Sequence, residues 1–357
     1  MSAAVELEHV SKRFAKVIAV DDVSFTVGKN EFFSLLGPSG CGKTTTLRCI
    51  AGLEEPDSGI IKLAGEVVTN VPTHKRNVGL VFQDLALFPH MDVFGNIAFG
   101  LKMKKVPEKE VEKRVKDMLE LVGLKGLERR RIHQLSGGQQ QRIALCRSLV
   151  PEPDVLLLDE PLGALDLKIR RRMTVELRRI QKEVGKTFIY VTHDQTEAIV
   201  MSDRIAVMQR GKIKQIGKSR EIYSHPKDPF IASFIGEAVN IIEGKCKEPG
   251  AFVGKKLEKP VKVEVPKELL NVPAVLSIRP ERIRVARKLR KLDNILDARV
   301  NSVLFKGMYH EYEVETGDDL MIKVFVPYVD ATTTFQEHDN VQIGWNKEDV
   351  VIIPSSR

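Results

Sequence analysis

The sequence predicts an α/β fold with a mostly parallel sheet, which a helical insertion interrupts and a separate all-β module follows. Strand-like aliphatic segments alternate with helical ones through residues 1–235, as in proteins that bury a parallel sheet between helices. Residues 84–150 have a helical texture, and residues 236–357 contain short alternating apolar runs typical of a small barrel. We therefore predict two domains, residues 1–235 and 236–357, with a helical subdomain at about residues 84–150 of the first.

The first part of the chain is predicted to contain several strands and one helix. One of these strands is apolar and runs into Gly37, which opens a turn. A helical stretch at residues 43–51 follows the turn, and Gly52 ends it. The predicted strands are residues 5–10, 23–27, 31–36 and 78–82.

Two amphipathic helices and two buried strands are predicted further along. Pro107 suits the first turn of a helix that Gly123 ends. Residues 155–158 are consecutive aliphatics and predict a strand buried on both faces, and residues 188–191 predict another. The helix between these strands ends at Gly185. The apolar faces of the two helices are Val111, Val115, Met118, Leu119 and Val122, and then Ile169, Met173, Leu177, Ile180 and Val184.

The C-terminal third is predicted to be an all-β module with an OB-like barrel fold. Its apolar and polar residues alternate, Gly and Asp separate the runs, and helical periodicity is scarce. The single tryptophan, Trp345, is interpreted as a core aromatic. The predicted strands are residues 261–265, 274–278, 298–303, 309–314, 321–326 and 350–353.

The charge distribution narrows the classes of partner. The chain has 357 residues and a formal charge of +8. A positive charge of this size is typical of proteins that bind nucleic acid or an anionic membrane face. Residues 1–235 hold 37 basic and 29 acidic side chains, whereas residues 236–357 hold 19 of each. The C-terminal module is therefore not a basic tail for nucleic acid. Basic runs such as Arg170, Arg171 and Arg172 are interpreted as solvated helix faces.

Cysteine usage and hydropathy predict a protein of a reducing cytosol. The four cysteines lack C-x-x-C spacing and are too few for a disulfide framework. No window approaches about 18 uninterrupted apolar residues, so we expect no transmembrane helix. The first ten residues include two acids and no apolar stretch, unlike a secretory signal. The cysteines are Cys41, Cys49, Cys146 and Cys246.

A phosphate-binding loop is the most specific local motif. Residues 37–44 fit G-x-x-x-x-G-K-[ST], with an apolar strand before them and a helical stretch after them. Glycines let backbone N–H groups face phosphate oxygens, Lys43 adds a charge near the β- and γ-phosphates, and Thr44 offers a hydroxyl to Mg²⁺. The motif alone fits a kinase, a GTPase or a transport ATPase. The predicted nucleotide contacts here are Gly37, Pro38, Ser39, Gly40, Cys41, Gly42, Lys43, Thr44 and Thr45.

Two carboxylates follow the buried strand at residues 155–158. Ligands bind at the carboxyl ends of strands in parallel sheets, so Asp159 is placed to hold Mg²⁺. Glu160 is placed to polarise an attacking water. The competing interpretation is a simple helix cap, which the upstream phosphate loop disfavours.

A second anion-binding turn precedes the predicted helix at residues 140–149. Ser136 is a candidate cap of that helix, and Gly137 and Gly138 expose backbone donors beside Gln139. One nucleotide does not need two complete cradles from one subunit. We therefore expect a head-to-tail homodimer, in which each nucleotide lies between the first cradle of one copy and the second cradle of the other.

These motifs together resemble the ATP-binding cassette (ABC) family. GPSGCGKT is similar to its Walker A motif, LSGGQ to its signature and VLLLDE to its Walker B motif. By the same resemblance, Gln83 corresponds to the Q-loop glutamine and a ligand of Mg²⁺, and Asp166 to the D-loop aspartate. His193 corresponds to the switch histidine that contacts the γ-phosphate, and Phe14 to the aromatic that stacks on adenine. Taken alone, a histidine at a strand end such as His193 is more often structural than functional, and Phe14 is more often a core aromatic. The implied catalytic residues are Glu160, His193, Lys43 and Gln83.

The C-terminal module resembles the TOBE class of β-barrel domains found on importer-type cassettes. The IRPE element at residues 278–281 carries this resemblance. Segments at residues 311–316 and 344–349 look most like polyamine and amine importers, while cassettes for iron, sugars or thiamine have similar ends. The resemblance thus implies an ATPase that drives import, with ATP and Mg²⁺ as cofactors.

The resemblance also implies partners and a location. We expect two membrane permease subunits, an indirect link to an extracytoplasmic solute-binding protein, and a peripheral position at the cytoplasmic face of the inner membrane. An apolar set at residues 85–94 is expected to meet the permease, or else to pack the core of the helical insertion. Two other hypotheses remain. One is that the C-terminal module is a small-ligand sensor that gates the ATPase, which is compatible with import. The other is a nucleic-acid-linked cassette, but such proteins usually have two cassettes, a long coiled coil or zinc cysteines, so we expect no nucleic-acid partner.

Overall fold

Residues 3–219 are built around two β-sheets and their flanking helices. The structure, a computed structural model, describes residues 3–265, 267–329 and 334–355 of the chain. The strands here are β1 (Ala3–Phe14), β2 (Val17–Gly28), β3 (Phe32–Leu36), β4 (Ser58–Leu63), β5 (Glu66–Val67), β6 (Val78–Val81), β7 (Val155–Asp159), β8 (Thr187–Thr192), β9 (Arg204–Gln209) and β10 (Lys212–Gly217). The helices are α1 (Lys43–Ala51), α2 (Val93–Met103), α3 (Glu108–Leu121), α4 (Gly137–Leu149), α5 (Leu167–Val184) and α6 (Gln195–Met201).

The larger sheet has the order β10-β9-β3-β8-β7-β6, and its strands run parallel except for the β9–β10 pair. The strands β3, β7 and β8 are buried along their whole length, because apolar layers cover both faces of the sheet. The second sheet is antiparallel, in the order β2-β1-β4-β5. The predicted α/β core is therefore confirmed.

The helical insertion lies between β6 and β7 in sequence and has its own apolar core. Helix α3 contributes Val111, Val115 and Leu119, and α4 contributes the buried Cys146, as expected for a core cysteine. In the segment before α2, Leu85 and Leu87 pack against this same core. Both side chains are half-buried, so each packs on the core of the insertion and also keeps an accessible face.

Residues 220–355 form a second unit that is almost entirely β-structure. The chain divides into Met1–Ser219 and Arg220–Arg357, while the domain boundary predicted after residue 235 stays a prediction. Two short helices come first, α7 (Ser219–Ser224) and α8 (Pro229–Phe234). The strands are β11 (Asn240–Glu248), β12 (Ala251–Gly254), β13 (Val261–Lys262), β14 (Pro273–Ile278), β15 (Arg284–Ala286), β16 (Asn294–Phe305), β17 (Tyr309–Thr316), β18 (Leu320–Pro327), β19 (Asn340–Trp345) and β20 (Val350–Pro354).

These strands form two antiparallel sheets that share one core. Their orders are β13-β12-β11-β14-β20 and β15-β19-β16-β17-β18. Trp345 and Tyr312 are buried in that core, which confirms the interpretation of the single tryptophan. Arg279, of the IRPE element, is buried and donates hydrogen bonds to the carbonyls of Ile235 (2.6 Å) and Ala238 (3.3 Å). The predicted all-β module with an OB-like barrel is confirmed.

Candidate nucleotide site

Three loops with predicted functional residues begin at one edge of the parallel sheet. In the sheet register, Leu36 of β3 pairs with Thr192 of β8, and Asp159 of β7 pairs with Val191. The strands β3, β7 and β8 therefore end side by side. The carboxyl edge of a parallel sheet is where such proteins bind ligands.

The loop after β3 requires glycine at two positions for steric reasons. A Cβ on Gly37 would lie 2.3 Å from the carbonyl oxygen of Met208, and one on Gly42 would lie 2.1 Å from that of Ala19. Gly42 caps α1 with a φ of 102°, in the left-handed region that favours glycine. The loop therefore turns tightly enough for its N–H groups to face an anion at the N-terminus of α1.

Lys43 is folded back onto this loop. The residue is only 4% exposed, and its Nζ donates hydrogen bonds to the carbonyls of Gly37 (2.8 Å) and Pro38 (3.0 Å). Both acceptors are neutral, and among the described residues no acidic side chain lies within ion-pair distance of Nζ, while Asp159 attracts its charge from further away. A buried cation in this state favours a bound phosphate.

Thr44 and Asp159 meet across two loops. The Thr44 hydroxyl donates a hydrogen bond of 2.8 Å to Asp159 Oδ1. Burial raises the pKa of Asp159, although the Thr44 hydrogen bond and the charge of Arg48 act in the opposite direction. A carboxylate that burial disfavours gains from a nearby cation.

These two oxygen donors suit Mg²⁺. The described residues contain no group of three or more His, Cys, Asp or Glu side chains arranged to hold a metal. Mg²⁺ commonly uses one or two protein carboxylates and takes its other ligands from phosphates and water. Thr44 and Asp159, beside the glycine loop, therefore fit the metal of a nucleotide complex.

Glu160 and His193 form a pair at the same edge. His193 Nδ1 lies 3.1 Å from Glu160 Oε2, and the two side chains are 53% and 18% exposed. Glu160 has a φ of 44°, and its N–H donates to the carbonyl of Val191 (3.1 Å). A non-glycine residue in the left-handed region is strained, and strain of this kind concentrates at functional sites.

Phe14 and Gln83 are exposed residues near the ends of strands. Phe14 ends β1, is 44% exposed, and has Lys12 Nζ 5.4 Å from its ring centroid. The core interpretation of Phe14 is therefore wrong. Gln83 lies two residues after β6, the neighbour of β7. Among the described residues, no hydrogen bond or ring contact joins either side chain to the phosphate loop.

The turn at Ser136 is ordered by its own side chains. Ser136 Oγ accepts a hydrogen bond from the Gln139 N–H (3.4 Å), and Gln139 Oε1 accepts one from the Ser136 N–H (2.9 Å). Ser136 therefore caps α4, as predicted. The side chains that limit space at Gly137 and Gly138 belong to Leu165 and Ile169, and not to the phosphate loop.

Other predicted nucleotide contacts have specific local roles. Asp166 caps α5 by accepting hydrogen bonds from the N–H groups of Lys168 (3.1 Å) and Ile169 (3.0 Å). Cys41 is buried in the core beneath the loop, so only its backbone remains available to a phosphate. Pro38 and Thr45 are half-buried, and Ser39 and Gly40 are exposed.

Sequence reasoning missed one residue at this edge. Arg170 is interpreted above as part of a solvated run, and this interpretation is wrong. Its guanidinium donates to the carbonyls of Gly163 (3.1 Å) and Leu165 (3.0 Å). Another face of the guanidinium is directed at two acidic side chains beyond His193. No local sequence pattern predicts these contacts of Arg170, because the two acidic residues lie far from it in the sequence.

Comparisons with known proteins agree with this geometry. The family profile "ABC transporter" matches residues 20–163, and "TOBE domain" matches residues 276–353. A "Spermidine/putrescine import ATP-binding protein" of Thermobifida fusca is 46% identical, with 98% of this chain and 94% of the relative covered. A protein of the same name from Acetivibrio thermocellus is also 46% identical, with 99% and 97% covered.

Two solved structures resemble the first part of the chain. One is cbiO1 from Clostridium perfringens, described as part of an ABC transporter complex, with a TM-score of 0.58, 30% identity, and 62% of this chain and 91% of that chain covered. The other is a bacterial ABC transporter cassette solved as a dimer, with a TM-score of 0.55, 30% identity, and 60% and 99% covered. Within the described residues, no helix is long and apolar enough to span a membrane.

Proposed function

Since this chain belongs to the ABC transporter family of ATP-binding proteins, we propose that it drives the uptake of a polyamine such as spermidine or putrescine. It is the ATP-hydrolysing subunit of an importer. Its relatives named for spermidine/putrescine import match nearly the full length of the chain, across both domains. These relatives favour a polyamine over iron, a sugar or thiamine.

The observation that carries the ATPase assignment is the meeting of Lys43, the Thr44–Asp159 pair and the Glu160–His193 pair at one sheet edge. Lys43 and the N–H groups of the glycine loop hold the phosphates of ATP. Thr44 and Asp159 hold Mg²⁺, with Gln83 as a further ligand. When bound, Mg²⁺ neutralises phosphate charge and orients the γ-phosphate.

Glu160 and His193 supply the remaining chemistry in this proposal. Glu160 accepts a hydrogen bond from the attacking water and polarises it, and His193 holds the Glu160 carboxylate and contacts the γ-phosphate. Neither step requires a covalent intermediate. Catalysis then rests on positioning and charge stabilisation, as is usual for phosphoryl transfer. Phe14 stacks on the adenine.

The second nucleotide contact comes from another copy of the chain. The Ser136–Gln139 turn contacts residues 165–169 of its own chain rather than the phosphate loop. A head-to-tail homodimer brings the turn of one copy, with Asp166, to the ATP on the other. The similarity to a cassette solved as a dimer supports this arrangement.

Two permease subunits complete the importer, with an extracytoplasmic solute-binding protein that acts on the permeases. The chain binds to them peripherally, at the cytoplasmic face of the inner membrane. Nucleic acid is not a partner in this proposal, because the positive charge lies in the ATP-binding part, and residues 236–357 hold equal numbers of acidic and basic side chains.

Uptake of labelled spermidine and putrescine tests the proposal. Cells that lack this chain should lose uptake, and the wild-type chain should restore it. Lys43→Ala should not restore it, because the buried phosphate contact is gone, whereas Lys29→Ala, at an exposed lysine, should. Normal polyamine uptake in cells without the chain would contradict the proposed cargo.

A further inference from the structure

Arg170 connects two loops that carry the residues of hydrolysis. One Nη atom donates to the carbonyls of Gly163 (3.1 Å) and Leu165 (3.0 Å), in the loop after β7. The other Nη lies 3.7 Å from Asp194 Oδ2, and Nε lies 4.0 Å from Glu197 Oε1. These acids follow β8. Within the described residues Nε makes no hydrogen bond, so the guanidinium is hydrogen-bonded to the loop after β7 and attracts the acids after β8 through charge alone.

Each loop is joined to a residue of the hydrolytic pair. In the first loop, the Gly163 N–H donates to the carbonyl of Glu160 (3.1 Å), so the position of Gly163 influences that of Glu160. In the second, Asp194 directly follows His193 and caps α6 by accepting from the Glu197 N–H (3.1 Å). A shift in either loop would change the 3.1 Å contact between Glu160 and His193.

The acid at residue 197, beyond His193, is buried near the Arg170 guanidinium. Glu197 is 5% exposed and accepts hydrogen bonds from the hydroxyls of Tyr190 (2.7 Å) and Thr192 (2.7 Å). Burial raises the pKa of Glu197, while the hydrogen bonds from Tyr190 and Thr192 and, to a smaller extent, the charge of Arg170 act in the opposite direction. Arg170 thus offsets a buried carboxylate in addition to binding the carbonyls of the other loop.

Only arginine can make all of these contacts. A guanidinium presents five N–H donors in a planar fork, whereas a lysine ammonium is a point charge on a flexible stem. Lysine at this position would keep a charge near Glu197 but could not bind both loops at once.

We propose that Arg170 is a positioning residue for ATP hydrolysis, which fixes the loop that carries Glu160 against the segment that carries His193. The inference rests on the proposed function, since Arg170 has this positioning role only if Glu160 and His193 act on ATP. It predicts that loss of Arg170 slows turnover without weakening the binding of ATP. The phosphate contacts of Lys43 lie on a different loop.

A variant at this position should remain folded. A cavity of about 320 Å³ lies beside Arg170, Asp194 and Glu197. Water from this cavity can therefore solvate the polar groups that a smaller side chain would leave without a hydrogen-bond donor. Melting temperatures of Arg170→Ala and Arg170→Lys, each measured by thermal unfolding, establish that both variants fold.

The test is steady-state ATPase kinetics of the full-length chain and these two variants. We expect kcat to fall about tenfold or more in both, with KM for ATP within about twofold of the parent value. Added guanidinium should restore part of kcat in Arg170→Ala but not in Arg170→Lys, whose side chain fills the site. Arg172→Ala, an exposed arginine of the same helix, should match the parent.

Three results would overturn the inference. They are a kcat within twofold of the parent in both Arg170 variants, a raised KM with unchanged kcat, and an equal loss in Arg172→Ala. If the parent chain itself lacks ATPase activity, the proposed function fails and the inference fails with it. An active parent with equally active Arg170 variants overturns the inference alone.

Discussion

Asp159, the proposed ligand of Mg²⁺, lies in an environment that disfavours its charge. The residue is 7% exposed, and burial is the main reason that its pKa is raised. For a carboxyl group, a raised pKa in the folded state means that ionisation opposes folding. In the absence of Mg²⁺ and nucleotide, Asp159 should therefore reduce stability progressively as the pH rises through and beyond the usual aspartate range, about 3.9.

Asp159→Asn should make the protein more stable and less active. The amide keeps an oxygen that can accept the Thr44 hydrogen bond, and it carries no charge to bury. We expect the melting temperature without Mg²⁺ to rise at neutral pH. This gain should shrink as the pH falls, because the native Asp159 is then protonated. Thermal unfolding at a series of pH values measures the difference.

Asp57 provides a matched control, for which the expected change in melting temperature has the opposite sign. The hydrogen bond from the Arg13 N–H lowers the pKa of Asp57, and so does Lys12. Its charge therefore contributes stability above its unfolded pKa, which is lost as the pH falls. Asp57→Asn should lower the melting temperature at neutral pH. A gain for Asp159→Asn that grows towards acid pH would contradict this account of Asp159.

Single-residue roles could be predicted where they depend on adjacent residues. Lys43 and Thr44 belong to a contiguous loop motif, and Asp159 directly follows an aliphatic strand, so local pattern was sufficient. The left-handed backbone of Glu160 and its contact with His193 could not be predicted from spacing, because the partners lie 33 residues apart. The contacts of Arg170 could not be predicted for the same reason, since nothing near it in sequence distinguishes it from Arg171.

At the scale of elements, the C-terminus of α1 is held by an arginine from outside the helix. Arg76 is 7% exposed and donates to the carbonyls of Cys49 (2.7 Å) and Ile50 (2.8 Å), at the end of the helix. It also donates to those of Val71 (2.7 Å) and Thr69 (2.9 Å). Cations at a helix C-terminus complement the unpaired carbonyls and the helix dipole. The helix that begins at Lys43 is therefore anchored at its far end.

Arg76→Met should destabilise the chain strongly. The methionine fills much of the space but removes the donor of four carbonyls, of which those of Cys49 and Ile50 are buried. We expect a loss of about 3 kcal/mol in the free energy of unfolding, measured by urea denaturation. Lys75→Met, at the exposed neighbouring position, should change it by less than about 0.5 kcal/mol. Equal effects of the two variants would remove the anchoring role of Arg76.

A strained segment follows Gln83 and is fixed by α4. Leu85 and Ala86 have φ values of 61° and 45°, which is unfavourable for side chains with a Cβ. Arg147 of α4 donates to the carbonyls of both residues, at 2.8 and 2.6 Å, and lies 5.3 Å from the Phe88 ring. These contacts tie the segment to the helix that Ser136 caps.

Arg147→Ala should uncouple transport from hydrolysis. We propose that the segment after Gln83 meets the permease, so releasing it should lower solute uptake per ATP by about tenfold. ATPase activity itself should change far less, since Arg147 is outside the nucleotide site. Reconstituted vesicles containing the permeases allow both rates to be measured, with Arg129→Ala, an exposed arginine of the insertion, for comparison. Unchanged uptake per ATP would exclude this role.

Element boundaries were predictable where capping residues and periodicity agree. Helix α1 spans Lys43–Ala51 as predicted, and α5 ends before Gly185, which has a φ of 61°. Helix α2 was not predicted individually, because Gly95 and Gly100 interrupt a sequence that packs against α3 and α4. Tertiary packing and the cap at Asp92, which accepts from the Gly95 N–H (2.7 Å), offset the low helix propensity of glycine.

At the scale of the whole molecule, one copy of the chain contains two turns that we propose bind phosphate, on separate parts of its first unit. The phosphate loop begins α1, and the Ser136 turn begins α4 and contacts the loop before α5. A complete nucleotide site then requires that both turns contact the same ATP. Our account assigns the second turn to a partner copy, so ATP should hold two copies together until hydrolysis releases them.

Light scattering of Glu160→Gln with and without MgATP tests this account most directly. The substitution removes the carboxylate that polarises water but leaves Lys43, Thr44 and Asp159 in place, so ATP should bind and persist. We predict the mass of one chain without nucleotide and of two chains with MgATP, whereas Lys43→Ala should stay at one. A single-chain mass for Glu160→Gln saturated with MgATP would contradict the shared-site dimer.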